Sequence, residues 1–164
     1  MAQPASAPTV TTKTQTLQHT ARLANGLDLV AEHLPHVRSA ALTLLIPAGA
    51  ATDPADAGGA ANVLSDWMLR GAGTRDSRAL TSYLDDLGVQ RGSSAETIFL
   101  RFSASMLATK LPEVLAVYAD VVRSPVLPEE GFAPAVDLAV QQIKGIEDEP
   151  SQKLHLLLRA QHYP

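Results

Sequence analysis

The chain has no cysteine, so it holds no disulfide and no thiolate metal site, and the absence leaves its compartment undecided. Its 164 residues include no apolar run near the roughly twenty residues that span a bilayer. No basic segment followed by an apolar one opens the sequence, so no signal peptide is expected in it. Basic clusters are missing as well. With a net charge of −4, nucleic acid and anionic membrane are poor candidates as main partners. What is present is ordinary for a globular chain: 46% hydrophobic and 18% charged residues, enough for one domain with a real core.

Hydrophobic periodicity and turn residues lay out the chain in order. Residues 1–15 are rich in Ala, Pro, Thr and Gln and read as a flexible tail. Asn25-Gly26 lies between two strand-like runs, Leu17–Leu23 and Leu27–Glu32, and predicts a type I′ hairpin ended by Pro35. Ala40–Ile46 fits a central strand, and residues 47–59 are rich in turn formers. A helix centred on Asn62 should stop near Gly71–Gly73. Ser77 is placed to cap a second helix that Gly88 ends. Val89–Ser94 and Thr97–Ser105 read as strands. Pro112 starts a helix to Arg123, and another runs from Pro128 to Glu147, with Pro134 delaying or kinking it. Ser151–Ala160 has the pattern of a last amphipathic helix. Strands, two helices, two strands and three helices predict an α+β fold, with helices packed on an antiparallel or mixed sheet.

The Asn62 helix carries the most information. Ala60, Val63, Leu64, Trp67 and Met68 recur at helical spacing and predict one buried stripe. Asn62, Ser65 and Asp66 fall on the other side. In the inverted zincins this face carries His-x-x-Glu-His, two imidazoles holding zinc and a Glu activating a water. Here the same places read Asn-x-x-Ser-Asp.

The segment resembles the pitrilysin/insulinase type of zinc metallopeptidase, the family that includes the mitochondrial processing peptidase. Several further pieces match in order. Leu23-Ala24-Asn25-Gly26-Leu27 is similar to the family's opening hairpin, and Ala48-Gly49-Ala50 through Asp53-Pro54 to the loop before its zinc helix. Leu69-Arg70-Gly71 to Thr74 resembles that helix's exit. Leu111-Pro112-Glu113-Val114-Leu115, with Asp120 and Pro125, and Gln142-Ile143 with Glu147-Asp148-Glu149-Pro150 resemble later family segments. The resemblance covers residues 16–164 and implies an N-terminal peptidase-like domain. Family members continue beyond the place of Gln161-His162-Tyr163-Pro164, so a domain incomplete at its C-terminal end is expected. Missing strands would leave unpaired edges, and self-association is expected with them.

Carried over residue by residue, the resemblance puts Asn62 and Asp66 at the two His ligands, Ser65 at the general base and Gln142 at the Glu ligand. One carboxylate among neutral oxygens suits neither zinc nor calcium, which takes about six to eight oxygens. Zinc is therefore expected to be absent and no catalytic residue is assigned. In some relatives a zinc-less subunit pairs with a zinc-bearing one, encloses the peptide substrate, and supplies an Arg and a Tyr from a later domain. The resemblance thus implies a non-catalytic subunit of a two-subunit peptidase. The alternative it offers is a purely structural protein like the peptidase-related core subunits of a respiratory complex. A bound peptide would add to an open sheet edge, for which Val89, Gly92, Ser93 and Ser94 are the candidates. His33 and His36 beside Glu32 read as a polar strand end rather than as ligands, and Trp67 and Met68 as core.

Overall fold

Gly26 sets the first turn of the computed structural model, which describes residues 17–162. Strands β1 (Leu17–Arg22) and β2 (Asp28–His33) pair antiparallel, with Arg22 opposite Asp28. The turn is not the expected type I′, which needs positive φ at two residues in a row. Only Gly26 has positive φ, at 86°, and its N–H donates to the Leu23 carbonyl at 2.9 Å. Asn25 keeps negative φ because its Oδ1 accepts from the Leu27 N–H at 3.1 Å, and Gly26 takes up the left-handed turn alone. This hairpin belongs to a compact unit ending at Arg38, and a second unit begins at Ser39. The expected tail, residues 1–15, lies outside the described residues.

The second unit is built on a three-stranded antiparallel sheet. Its strands are β3 (Ser39–Ile46), β6 (Gln90–Ala95) and β7 (Leu100–Leu107), in the order β3-β7-β6. The central place belongs to β7, not to the 40–46 run. Burial alternates along β7, where Leu100, Phe102, Ala104 and Met106 are all buried. Each sits opposite a residue of β3 on the same face: Ile46, Leu44, Leu42 and Ala40. A period of two with one buried face is the mark of a sheet covered on one side.

Helices supply the cover. These are α1 (Ala60–Trp67, continued by a 3₁₀ turn to Arg70), α2 (Ser77–Asp86) and α3 (Leu111–Arg123). Two-residue strands β4 (Gly71–Ala72) and β5 (Arg75–Asp76) form a small antiparallel pair between α1 and α2. Asp76, not Ser77, caps α2, because its carboxylate accepts the Ala79 N–H at 2.8 Å. Leu80, Leu84, Val114, Val117, Tyr118 and Val121 join the sheet residues in one core. Then follow α4 (Phe132–Glu147) and α5 (Pro150–His162). Pro134 lies in the first turn of α4, where its missing N–H has no carbonyl to serve, and α4 runs unbroken from Phe132 to Glu147. The architecture is α+β, as the order of elements predicts.

Candidate functional site

Three local features position α1. Gly49 lets the 48–52 turn lie directly on the β6–β7 connection, because a side chain there would overlap backbone atoms of Phe99, Glu96 and Ile98. Ala50 and Ala51 N–H groups donate to Glu96 and Thr97 carbonyls at 2.9 and 2.8 Å. From this anchored turn Asp53 reaches the start of α1. Its carboxylate accepts the Gly59 and Ala61 N–H groups, both at 2.8 Å. A carboxylate at a helix N-terminus satisfies orphan donors and faces the positive end of the helix dipole. The sequence marks Asp53-Pro54 as part of a turn-rich loop before this helix, but not as its cap. The separation of eight residues between Asp53 and Ala61 hides the cap from any local pattern.

Along α1 the polar residues divide. Asn62 and Asp66 are partly exposed, but Ser65 is only 3% exposed. The buried line of the helix runs through Ala61, Ser65 and Met68, which shares only Met68 with the five-residue stripe read from the sequence. Ala60 is exposed, and Val63, Leu64 and Trp67 are half-buried. The reason is the neighbour on each side. Ala61 and Met68 belong to the core and Leu64 packs against it, while Val63, Leu64 and Trp67 also line an open cleft of about 660 Å³ shared with Phe132, Val136, Val140 and Ile143 of α4. Trp67 is fixed in that cleft by its indole N–H, which donates to the Pro128 carbonyl at 2.8 Å, and by a tilted contact with Phe132 at 5.0 Å.

A smaller cavity of about 140 Å³ lies among Asn62, Ser65 and Asp66 of α1, Ser93 of β6, and Ala135, Leu138, Ala139 and Gln142 of α4. All four residues singled out around Asn62 meet here although Gln142 lies eighty positions further along the chain. Asn62 Nδ2 donates to Gln142 Oε1 at 3.1 Å and ties α1 to α4. The Ser65 hydroxyl donates to the Asn62 carbonyl at 2.8 Å. Asp66 accepts from Arg70 Nε at 2.8 Å, one helical turn on.

Of the edge residues, Ser93 lines this cavity. Gly92 and Ser94 lie on β6, the outer strand of the sheet, beside Ser103 and Arg101 of β7. Val89 precedes the strand, is 7% exposed, and donates its N–H to the Leu84 carbonyl at 3.0 Å, so its backbone belongs to the turn after α2.

These donors do not fit zinc. Zinc takes imidazole, thiolate and carboxylate ligands in a tetrahedron. The cavity has one carboxylate, held by a guanidinium, and two carboxamides bonded to each other. Ser65, at the place the resemblance gives to the general base, is a neutral hydroxyl already bonded to the Asn62 carbonyl. Among the described residues no group of three or more His, Cys, Asp and Glu is placed to hold a metal, and the chain has no cysteine. His33, His36 and Glu32 are all exposed and form no such group. No helix among the described residues is long and apolar enough to cross a membrane.

Helices on an antiparallel sheet, with two of them closing on a polar cavity, define the class as an α+β domain with no metal-ligand set among its described residues. The profile of the insulinase family, peptidase family M16, matches residues 28–164, and the chain belongs to that family. An uncharacterized zinc protease of Rickettsia felis is 22% identical over 134 residues, which is 82% of this chain and 32% of that protein. The crystal structure of a peptidase M16 inactive domain from Pseudomonas fluorescens superimposes with a TM-score of 0.73 at 22% identity, covering 87% of this chain and 35% of that one. Pitrilysin superimposes with a TM-score of 0.66 at 23% identity over 73% of this chain and 13% of its own. The chain thus spans about a third of the length of the curated relatives it matches.

Proposed function

We propose that this chain is part of the non-catalytic, substrate-enclosing subunit of a two-subunit zinc peptidase, of the kind found in the mitochondrial processing peptidase. One observation carries the reading. At the places the family resemblance gives to metal ligands, every side chain is engaged within the protein: Asn62 with Gln142, and Asp66 with Arg70 one turn on. A site that had merely lost one ligand would keep a remnant of the metal set. This one has been rebuilt as a hydrogen-bonded contact between two helices. The name of the Pseudomonas fluorescens structure, an inactive domain of this family, points the same way. Division of labour is chemically sound, since substrate enclosure and carbonyl polarisation need no metal on the same chain.

In this reading Asn62, Ser65, Asp66 and Gln142 are the vacated zinc positions, and a peptide pairs with β6 along Gly92, Ser93 and Ser94. The partner is a zinc-bearing subunit of the same family. Leu154, Leu156, Leu157 and Leu158 of α5 are each more than half exposed, which supports association of this chain with itself when that partner is absent.

Reconstitution tests the proposal. The parent protein alone should cleave no peptide with zinc added, and should do so only when mixed with a zinc-bearing family subunit. About one zinc per chain retained by this protein alone and lost on Asn62→Ala, or chelator-sensitive cleavage by it alone that depends on Asp66, would refute it.

A further inference from the structure

The 140 Å³ cavity has a donor and acceptor pattern of its own. Asn62 Nδ2 spends one hydrogen on Gln142 Oε1. That leaves Asn62 Oδ1 as an acceptor and Gln142 Nε2 as a donor, both without a partner among the described residues. Turning both amides over gives the same result, with Asn62 now offering the donor and Gln142 the acceptor. Either way the pair keeps both donor and acceptor capacity beyond its own hydrogen bond. That is the pattern complementary to a third carboxamide, or to one peptide group.

The charge lining the same place is paired. Asp66 is the one ionisable group lining the cavity, and Arg70 neutralises it at 2.8 Å. Ser93 brings a hydroxyl from the outer strand β6, and Ala135, Leu138 and Ala139 close the wall toward α4. A liquid water occupies about 30 Å³, so the space holds a few waters or a carboxamide.

We infer that this cavity is a carboxamide-recognition site, which takes an Asn or Gln side chain of an extended peptide paired with β6. The inference rests on the peptide-binding reading of β6 given above and adds what that edge selects. A site built to hydrogen-bond a neutral amide rejects groups that leave its own donor and acceptor unpaired. A carboxylate would set its oxygen against the free acceptor, and an ammonium would set its protons against the free donor. Alanine would leave both unmade.

A set of Thr- and Val-rich decapeptides tests this, identical except for a central Gln, Asn, Glu, Lys or Ala. Binding to the full chain is read by fluorescence anisotropy. The Gln or Asn peptide should bind about tenfold more tightly than those with Glu, Lys or Ala, the difference expected of one or two hydrogen bonds. Gln142→Glu should reverse the order toward Lys, and Asn62→Ala should flatten it, with circular dichroism confirming an unchanged fold. Two failures are distinguishable. If all five peptides bind alike and Gln142→Glu changes nothing, the carboxamide site is wrong and the peptide edge stands. If none binds, with or without a zinc-bearing subunit present, the peptide edge is wrong and this inference falls with it.

Discussion

Helices α3 and α5 are both thirteen residues long, both have proline in the first turn, and both carry regularly spaced aliphatic residues. In α3, Val114, Val117, Tyr118 and Val121 are buried. In α5 no residue is buried, and Leu157 is 61% exposed. Composition therefore does not decide what a helix does here. What decides is whether a second layer lies opposite. α3 joins the core that covers the sheet, where Tyr118 donates its hydroxyl to the Ser103 carbonyl of β7 at 2.9 Å. Packing of α5 involves α4, itself buried only at Ala135. The molecule has an inner layer packed on the sheet and an outer layer that keeps much of its apolar surface exposed.

Paired truncations would measure that contrast, and the largest effect is expected here. Phe102→Ala removes a fully buried ring from the central strand and should cost about 3–5 kcal/mol. Leu157→Ala should change stability by less than about 0.5 kcal/mol in urea unfolding. Leu157→Lys with Leu154→Lys should also reduce self-association in light scattering across a concentration series. Equal costs for the Phe102 and Leu157 truncations would mean that α5 is packed in solution.

A second test rebuilds the metal positions. Asn62→His, Ser65→Glu, Asp66→His and Gln142→Glu together should raise zinc affinity measurably in calorimetry, because Asn62 and Gln142 already touch across α1 and α4. Ser65 makes the graft costly. It is 3% exposed, and a longer charged side chain there should destabilise the apo protein by about 1–3 kcal/mol through overpacking alone. A folded variant that binds no zinc would show that these positions do not converge as ligands.

How far the sequence carries varies with the range of the signal. Turn residues, prolines and the period-two run of β7 are local, and they place the five α-helices and the five longer strands among the described residues to within a few residues, but not the two-residue strands β4 and β5. The α+β class follows from their order. The juxtaposition of Asn62 with Gln142 was reached through resemblance to a family, since nothing within a short window links residues eighty apart. Strand order was not legible in the same way: an apolar run marks a strand but not its neighbours, and β7 rather than β3 proved central. The buried face of α1 was also misplaced. An amphipathic stripe tells which side is apolar, not which of two adjoining layers it meets, and Ser65 went inward while Trp67 stayed half in the cleft.

Alkaline pH should sharpen the contrast between the layers at the level of one hydroxyl. Burial raises the pKa of Tyr118 above its ordinary value, and Arg91 opposes that shift to a smaller degree. The folded state thus holds this proton more tightly than the unfolded chain. Its contribution is complete below the ordinary tyrosine value of about 10 and is lost as pH rises through the higher folded value. Tyr118→Phe should cost about 1 kcal/mol at neutral pH, by loss of the bond to Ser103, and should flatten the fall in stability above about pH 10.

The smallest effect belongs to the outer layer. Gly145 lies within α4, is exposed, and an added Cβ there would meet nothing within 4 Å. Its φ is not in the left-handed region, so alanine fits the backbone without strain. Glycine inside a helix loses more chain entropy on folding than alanine does, and Gly145→Ala should stabilise the protein by about 0.5–1 kcal/mol. The sign matters more than the size. If α4 carries no neighbour over this turn, the gain should appear in full in thermal unfolding. Gly49→Ala is the opposite case, since its Cβ would overlap backbone atoms of Phe99, Glu96 and Ile98, and it should destabilise strongly. A loss of stability at Gly145 would mean that something packs closely on that face of α4 in solution, and the outer layer would then not be open there.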